Sequence, residues 1–131
     1  MKNIEHLLIT ENITIKKALK VIDKGAIRIA LVVDENNKLL GTLNDGDIRR
    51  GLLKNYTLDD SIKDLYFKNP TVALSDESKE KIIQKAIKNQ VYQIPIVDEN
   101  NHLVDIVNLA TLLNVTKKRN RVILVVYRAT V

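Results

Sequence analysis

The 131-residue sequence contains no cysteine and no tryptophan, and it has only one phenylalanine and two prolines. Without cysteine the chain cannot form a disulfide, a zinc ribbon or a thiol nucleophile. So few aromatic side chains argue against a platform for single-stranded nucleic acid, which needs several exposed rings. The apolar residues are mostly Leu, Ile and Val, and this composition favours helices packed on strands.

Long apolar runs are also missing. No stretch approaches membrane-spanning length, and the N-terminus lacks the apolar block of a signal peptide. We therefore expect a cytoplasmic protein without a membrane span. The length falls within the usual size of a single domain, which is enough to bury a core.

The net charge of +5 is concentrated at one end of the chain. Residues 1–116 contain 16 basic and 16 acidic side chains, and the last acidic residue is Asp105. The excess comes from Lys117, Lys118, Arg119, Arg121 and Arg128. A nucleic-acid-binding protein needs a basic face on its folded body. We therefore interpret residues 117–131 as a basic linker or tail, and nucleic-acid binding through this segment is the less favoured alternative.

One stretch of sequence occurs twice, about 64 residues apart. Residues 33–44 read VDENNKLLGTLN and residues 97–108 read VDENNHLVDIVN, with seven of the twelve positions identical. Each copy carries an Asn-Asn pair that suits a hairpin turn with positive φ. The chain is therefore predicted to contain a duplicated unit.

Each copy predicts the order helix, strand, strand, helix. Thr14 and Ser78 can cap a first helix whose apolar residues lie on one stripe. Strands are predicted at residues 29–33 and 92–97, and each is followed by the Asn-Asn turn and a second short strand. The second helices are predicted at residues 45–54 and 109–115.

One unit of this size would leave an apolar sheet face uncovered, so we expect an α/β fold of two repeats packed face to face with pseudo-two-fold symmetry. The polar connection between the repeats contains Leu58, Ile62, Leu65 and Phe67, which predicts a short packed helix. The expected organisation is repeat 1 at 1–56, connecting helix or linker at 57–69, repeat 2 at 70–116 and tail at 117–131.

These elements, in this order, resemble the CBS-domain pair, also called a Bateman module. The matching features are the Val-Asp pairs at 33–34 and 97–98, residues 41–47, residues 67–72, and residues 93–98, which are similar to the family's His-x-x-Pro-Val-Val-Asp strand. The resemblance covers residues 1 to about 116. It implies tandem CBS repeats that regulate an attached or partner domain.

A narrower resemblance concerns residues 44–53, which look like a segment of CBS pairs fused ahead of sugar-phosphate nucleotidyltransferases. Residues 120–126 are similar to the strand that precedes the glycine-rich phosphate loop of those enzymes, but residues 127–131 contain no glycine. We therefore expect the chain itself not to be an enzyme, and its parent to be a nucleotidyltransferase. A shortened product or a stand-alone sensor is the alternative.

The resemblance implies an adenine nucleotide (AMP, ADP or ATP) between the repeats. The family pattern Gly-h-h-Thr/Ser-x-x-Asp falls on residues 41–47, with Asp47 placed to accept both ribose hydroxyls. Asn44 stands where the family has Thr or Ser. The spacing of Asn44 and Asp47 fits a capping box equally well, and spacing alone does not separate the two interpretations.

Other candidate residues follow from the same resemblance. Arg49 and Arg50 lie in the first turns of a helix, where the dipole disfavours cations, so they either contact a phosphate or form a solvated face. In repeat 2, Asn108 and Thr111 occupy the positions of Asn44 and Asp47, and we expect one dominant site because Thr111 lacks a carboxylate. The pocket-lining candidates are Ile29, Ala30, Tyr92, Ile94 and Pro95.

Pro95 removes a backbone donor from its strand, so we expect it at a sheet edge or in a pocket wall. CBS pairs often associate through their helices, and this implies a homodimer. A dimerisation scaffold with a degenerate pocket is therefore the alternative function.

Overall fold

Helices and strands alternate along residues 4–112, the part of the chain that the computed structural model describes. The strands are β1 (Leu8–Ile9), β2 (Ile29–Val33), β3 (Leu39–Asn44), β4 (Ala73–Leu74), β5 (Gln93–Val97) and β6 (Leu103–Asn108). The helices are α1 (Ile15–Lys24), α2 (Asp45–Leu53) and α3 (Lys79–Asn89), and residues 109–112 are also helical. A single 3₁₀ turn, Glu5–Leu7, precedes β1.

The strands form two sheets of the same design. Their orders are β1-β2-β3 and β4-β5-β6, with a parallel first pair and an antiparallel second pair in each. The antiparallel registers even share an irregularity, at Val32/Val33 in one sheet and at Ile96/Val97 in the other. The predicted duplication and α/β fold are confirmed.

Both predicted helix caps are present. The Thr14 hydroxyl oxygen accepts a hydrogen bond from the Lys17 amide at 3.2 Å, and the Ser78 hydroxyl oxygen accepts one from the Lys81 amide at 3.2 Å. Such caps satisfy amides that have no partner within the helix. The apolar stripe of α1 is fully buried through Ile15, Ala18 and Ile22.

The two sheets bury their apolar faces against each other. One cluster of buried side chains draws on both repeats: Leu31, Val33 and Leu39 from the first, and Val97, Leu103 and Ile106 from the second. Covering both faces at once stabilises sheets of only three strands. The face-to-face packing predicted from the sequence is confirmed.

The connection between the repeats does not form the predicted helix. Residues 55–69 consist of turns and isolated bridges, although Ile62 and Tyr66 are buried as a packed segment requires. The helix prediction was wrong because these residues bond to distant backbone. The Ile62 amide donates to the Ile13 carbonyl at 3.1 Å, and the Phe67 amide donates to the Thr42 carbonyl at 2.8 Å.

Several predictions fall on residues 113–131, which lie outside the described residues. They are the end of the second helix of repeat 2, the basic tail and the strand at 120–126. In the portion that is described, none of the helices has both the length and the apolar character needed to cross a membrane.

Candidate functional site

A cleft of about 490 Å³ lies between the two repeats. Repeat 1 lines it with Ile29, Thr42, Asn44, Asp47 and Arg50. The connection lines it with Phe67 and Asn69, and repeat 2 with Pro70, Thr71, Asn89, Gln90, Val91, Tyr92, Gln93 and Pro95. A concave site between two packed units is a common place for a small-molecule ligand.

The repeat 1 wall is built around the start of α2. The Asp47 amide donates to Asn44 Oδ1 at 2.9 Å, and the Asn44 amide donates to Asp47 Oδ2 at 3.1 Å. This is a complete capping box, so the capping interpretation of the Asn44-x-x-Asp47 spacing is confirmed. The same geometry also holds the Asp47 carboxylate in the cleft wall.

A second hydrogen bond to the Asp47 carboxylate comes from Arg50. Arg50 Nη2 donates to Asp47 Oδ1 at 2.7 Å, and the side chain of Asp47 is only 13% exposed whereas that of Arg50 is 62% exposed. Among the described residues, Asp47 and Arg50 are the charged side chains that line the cleft. Their pairing leaves this wall with an acceptor and a donor whose charges balance.

Two aromatic rings line the cleft and remain in contact with solvent. Phe67, in the connection, is 54% exposed, and Tyr92, between α3 and β5, is 61% exposed. Gln90 ends α3 in the left-handed conformation, with φ 55°, and this turns the chain toward Tyr92. Exposed rings offer flat surfaces on which a planar group can stack.

Pro95 lies in the cleft wall but not at a sheet edge. Its strand, β5, is the central one, so the edge prediction was wrong. β4 consists of Ala73 and Leu74 and pairs with Ile96 and Val97, so it makes no strand pair at Pro95 itself. A central strand tolerates proline here because its neighbour is too short to reach it.

The remaining candidates do not line this cleft. Ala30 and Ile94 are buried in the two cores beneath the sheets, because alternate residues of a strand face opposite sides and their neighbours Ile29 and Gln93 take the cleft side. Arg49 is exposed on α2, outside the cleft.

Asn108 and Thr111 lie at the equivalent position of repeat 2. Asn108 Oδ1 accepts from the Ala110 amide at 3.3 Å, a weaker counterpart of the Asn44 cap. Six of the candidates predicted from the sequence line the one cleft: Ile29, Asn44, Asp47, Arg50, Tyr92 and Pro95.

Sequence reasoning missed the lining residues that precede β4 and β5. Asn69, Pro70 and Thr71 belong to the segment 67–72 that carries the family resemblance and were not named as lining residues, although a polar residue before proline indicates a loop. Gln93 crosses the repeat interface, where its Nε2 donates to the Ile27 carbonyl at 3.3 Å. No local signal predicts this contact, since the two residues are 66 positions apart.

The groups that line the cleft suit an organic ligand. Within residues 4–112, no three His, Cys, Asp or Glu side chains are grouped so that they could hold a metal. The cleft instead offers one carboxylate, one guanidinium, side-chain amides and two rings. These groups can bind hydroxyls, an anion and a flat heterocycle.

Comparison with known proteins places the chain in a family. The CBS domain family model matches residues 3–54 and 62–118. The chain is 36% identical over 109 residues to a probable arabinose 5-phosphate isomerase of Haemophilus influenzae, covering 80% of this chain and 31% of that protein. It is 33% identical over 110 residues to a homoserine O-acetyltransferase of Methanococcus vannielii, covering 81% of this chain and 22% of that protein.

The chain thus spans about a third or less of these curated relatives. Among solved structures, it is similar to the CBS domain pair of protein MJ0100 in complex with 5′-methylthioadenosine and S-adenosyl-L-methionine. The identity is 26% and the TM-score 0.76, over 87% of this chain and 90% of that one. This chain belongs to the CBS domain family and comprises two CBS units in tandem.

Proposed function

We propose that this CBS pair is a regulatory module that binds an adenine nucleotide in the cleft between its repeats. One observation carries the proposal: the Asp47 carboxylate, the Arg50 guanidinium and the exposed rings of Phe67 and Tyr92 all line the same cleft. Each chemical part of a nucleotide then has a partner. The solved CBS pair of MJ0100, which holds two adenosine compounds, supports an adenosine moiety as part of the ligand.

Each group has a distinct role in this proposal. Asp47 accepts hydrogen bonds from the ribose hydroxyls, since a carboxylate has acceptor capacity on both oxygens. Arg50 binds the phosphate, for which its planar fork is suited. The rings of Phe67 and Tyr92 stack on the adenine, and Ile29 with Pro95 closes the apolar wall.

The proposal assigns one ligand to each pair. At the equivalent position of repeat 2, Thr111 offers one hydroxyl where Asp47 offers a carboxylate. The Ile27 carbonyl, which is the pseudo-symmetric counterpart of the Val91 carbonyl, already accepts a hydrogen bond from the Gln93 side chain. No described side chain donates to the Val91 carbonyl. Val91 lines the cleft, and we assign its carbonyl as the acceptor for an adenine amine, whereas the Ile27 carbonyl is already occupied.

Binding would control an attached or partner domain by changing how the repeats pack. The relatives named above are an isomerase and an acetyltransferase, whereas the resemblance of residues 44–53 favours a nucleotidyltransferase, which stays a prediction. We propose no catalytic role for the pair itself. Regulation by a nucleotide of central metabolism agrees with the cytoplasmic location expected from the sequence.

Isothermal titration with AMP, ADP, ATP and S-adenosylmethionine tests the proposal. We expect one of them to bind, and Asp47→Asn to weaken it about tenfold or more, because a charged acceptor is lost. Asp45→Asn is the matched control: it lies in the same helical turn and pairs with Arg28, away from the cleft. Binding by none of these ligands at millimolar concentration would contradict the proposal.

A dimerisation scaffold is the second candidate function, favoured by apolar side chains left exposed on the helices. Leu53 of α2 is 78% exposed, and Leu52 and Ile87 are also exposed. We propose that these residues contribute to a homodimer formed through the helices. Light scattering tests this: a dimer that Leu53→Asp converts to monomer supports it, and a monomeric wild-type protein at high concentration contradicts it.

A further inference from the structure

The ion pair between Arg50 and Asp47 covers the carboxylate that the proposed function assigns to ribose. Asp47 Oδ2 is engaged by the Asn44 amide and Oδ1 by Arg50 Nη2 at 2.7 Å, the shorter of the two bonds. The guanidinium folds back over the first turn of α2. A Cβ at Gly46 would lie 3.2 Å from Arg50 Nη1, which shows how closely the guanidinium lies against this turn.

A ribose must therefore compete with Arg50 for Oδ1. The bond between Arg50 and Asp47 joins two charged groups, and such hydrogen bonds are about twice as strong as those between neutral groups. A sugar hydroxyl alone is the weaker partner. A phosphate, by contrast, offers the guanidinium an anion with several acceptor oxygens, and it can draw Arg50 away from the carboxylate.

We propose that Arg50 is a latch on Asp47 that a ligand phosphate releases, so that phosphate binding exposes the carboxylate to ribose. The inference rests on the proposed function and adds the means of discrimination: by releasing Arg50 from Asp47, phosphorylated adenosine compounds are selected over uncharged or cationic ones. Adenosine carries no anionic group that could bind the Arg50 guanidinium. A sulfonium compound such as S-adenosylmethionine would place a positive charge beside the guanidinium, and among the described lining residues Asp47 is the single anion.

The latch differs from a simple phosphate contact in what removal of Arg50 does to adenosine. If Arg50 only binds phosphate, Arg50→Gln weakens AMP and leaves adenosine unchanged. If Arg50 also covers Asp47, the same substitution weakens AMP but strengthens adenosine, because the carboxylate no longer has to exchange a charged partner for a neutral one. The two ligands then change affinity in opposite directions.

The experiment is isothermal titration of AMP, adenosine and S-adenosylmethionine into the wild-type chain, Arg50→Gln and Arg49→Gln. Arg49→Gln is the matched control, since it removes the same charge from the adjacent, exposed position outside the cleft. In the wild type we expect AMP to bind about tenfold or more tightly than adenosine. In Arg50→Gln we expect AMP to weaken about tenfold and adenosine to tighten about threefold, with Arg49→Gln like the wild type.

The outcomes separate this inference from the function on which it rests. Tight AMP binding with adenosine unchanged or weakened in Arg50→Gln overturns the latch and leaves nucleotide binding intact. Equal binding of AMP and adenosine by the wild type overturns the phosphate selection. Cooperative melting shows that the wild type and Arg50→Gln are folded. If neither folded protein binds any of the three ligands, both the proposed function and the latch are contradicted.

Discussion

Asn37 and Asn101 hold equivalent turns, and each reaches into the other's repeat. Asn37 Nδ2 donates to the Leu103 carbonyl at 3.0 Å, and Asn101 Nδ2 donates to the Leu39 carbonyl at 2.9 Å. The backbone completes the joint, since Leu39 N donates to Asn101 O and Leu103 N to Asn37 O, both at 3.0 Å. Both asparagines are left-handed, with φ 66° and 67°.

We predict that Asn37→Ala lowers the free energy of unfolding by about 2–3 kcal/mol, combining a lost hydrogen bond with left-handed strain. Asn37→Gly removes the bond but accepts the backbone, so its cost should be about 1 kcal/mol. Urea unfolding followed by circular dichroism measures both changes. The difference between the two variants isolates the backbone strain.

Asn36→Ala is the control for the hydrogen bonds between the turns. Asn36 is an exposed turn residue, and it is the backbone amide, not the side chain, that forms its hydrogen bond, to Asp34 Oδ1 at 2.8 Å. Its effect should remain within about 0.5 kcal/mol. An equal loss in Asn36→Ala and Asn37→Ala would show that the turn as a whole matters, and not the bond between repeats.

A second prediction concerns Gly41, which lies where the connection crosses β3. A Cβ at this position would lie within van der Waals overlap of the Phe67 carbonyl oxygen and the Tyr66 ring. Gly41→Ala must therefore displace the connection, and we expect a loss of about 2–3 kcal/mol in thermal or urea unfolding. Because Phe67 lines the cleft, nucleotide affinity should fall in the same variant.

Gly46→Ala is the matched control for Gly41→Ala. Its new Cβ would meet the flexible end of Arg50 at 3.2 Å, which can move aside. Alanine in a helix is favoured over glycine by about 0.5–1 kcal/mol, so this variant should be as stable as the wild type or more so. A comparable loss at both positions would exclude the close approach as the cause.

The local parts of this fold could be predicted from sequence. The Asn-Asn turns, the caps at Thr14 and Ser78 and the capping box at Asn44 all depend on residues within a few positions of one another, and the duplication is visible as a repeated stretch of sequence. The connection could not be predicted, since Leu58 and Ile62 are compatible with a helical stripe. Two of its amides, those of Ile62 and Phe67, bond to backbone about 50 and 25 residues away, and sequence periodicity carries no information about such partners.

The candidate site also has one part that could be predicted from the sequence and one part that could not. Asp47 was found through the family pattern of residues 41–47, Arg50 through its position at a helix start, and Tyr92 through the same family resemblance. The Gln93 bond to Ile27 and the approach of Phe67 to Thr42 depend on how the repeats and the connection pack. The same strand pattern that indicated Ile29 also indicated Ala30, which alternation turns into the core.

A third prediction concerns the ionisation of Tyr66. Burial, together with the hydrogen bond from its hydroxyl to Glu11 Oε2 at 2.6 Å, raises the pKa of Tyr66 from 10.0 to about 12. Because the folded state holds this proton more tightly than the unfolded chain does, the associated stability is present below pH 10 and is lost as the pH rises toward 12.

Absorbance at 295 nm measures this directly. The difference between the titrations of wild type and Tyr66→Phe should show one tyrosine ionising near pH 12, and the stability of Tyr66→Phe should depend less on pH between 10 and 12. A difference curve centred near pH 10 would contradict the assigned environment of Tyr66.

The final prediction concerns stoichiometry. If ligand binding requires a carboxylate at the start of the second helix, the wild-type chain should bind one nucleotide, and Asp47→Asn should lose that binding. Thr111→Asp restores a carboxylate at the equivalent position, yet we expect the ratio to stay at one. The Ile27 carbonyl still accepts the Gln93 side chain, so the position around residue 111 lacks a free acceptor for an adenine amine.

Titration calorimetry of Thr111→Asp, with Thr111→Asn as the uncharged control, gives the ratio. Two ligands per chain in the wild type would show that a nucleotide binds at the repeat 2 position even though Thr111 stands there in place of a carboxylate. Two ligands in Thr111→Asp alone would assign the asymmetry entirely to residue 111, because the bond between Gln93 and Ile27 would then be no barrier. A ratio of one in all three proteins places the barrier in the packing between the repeats.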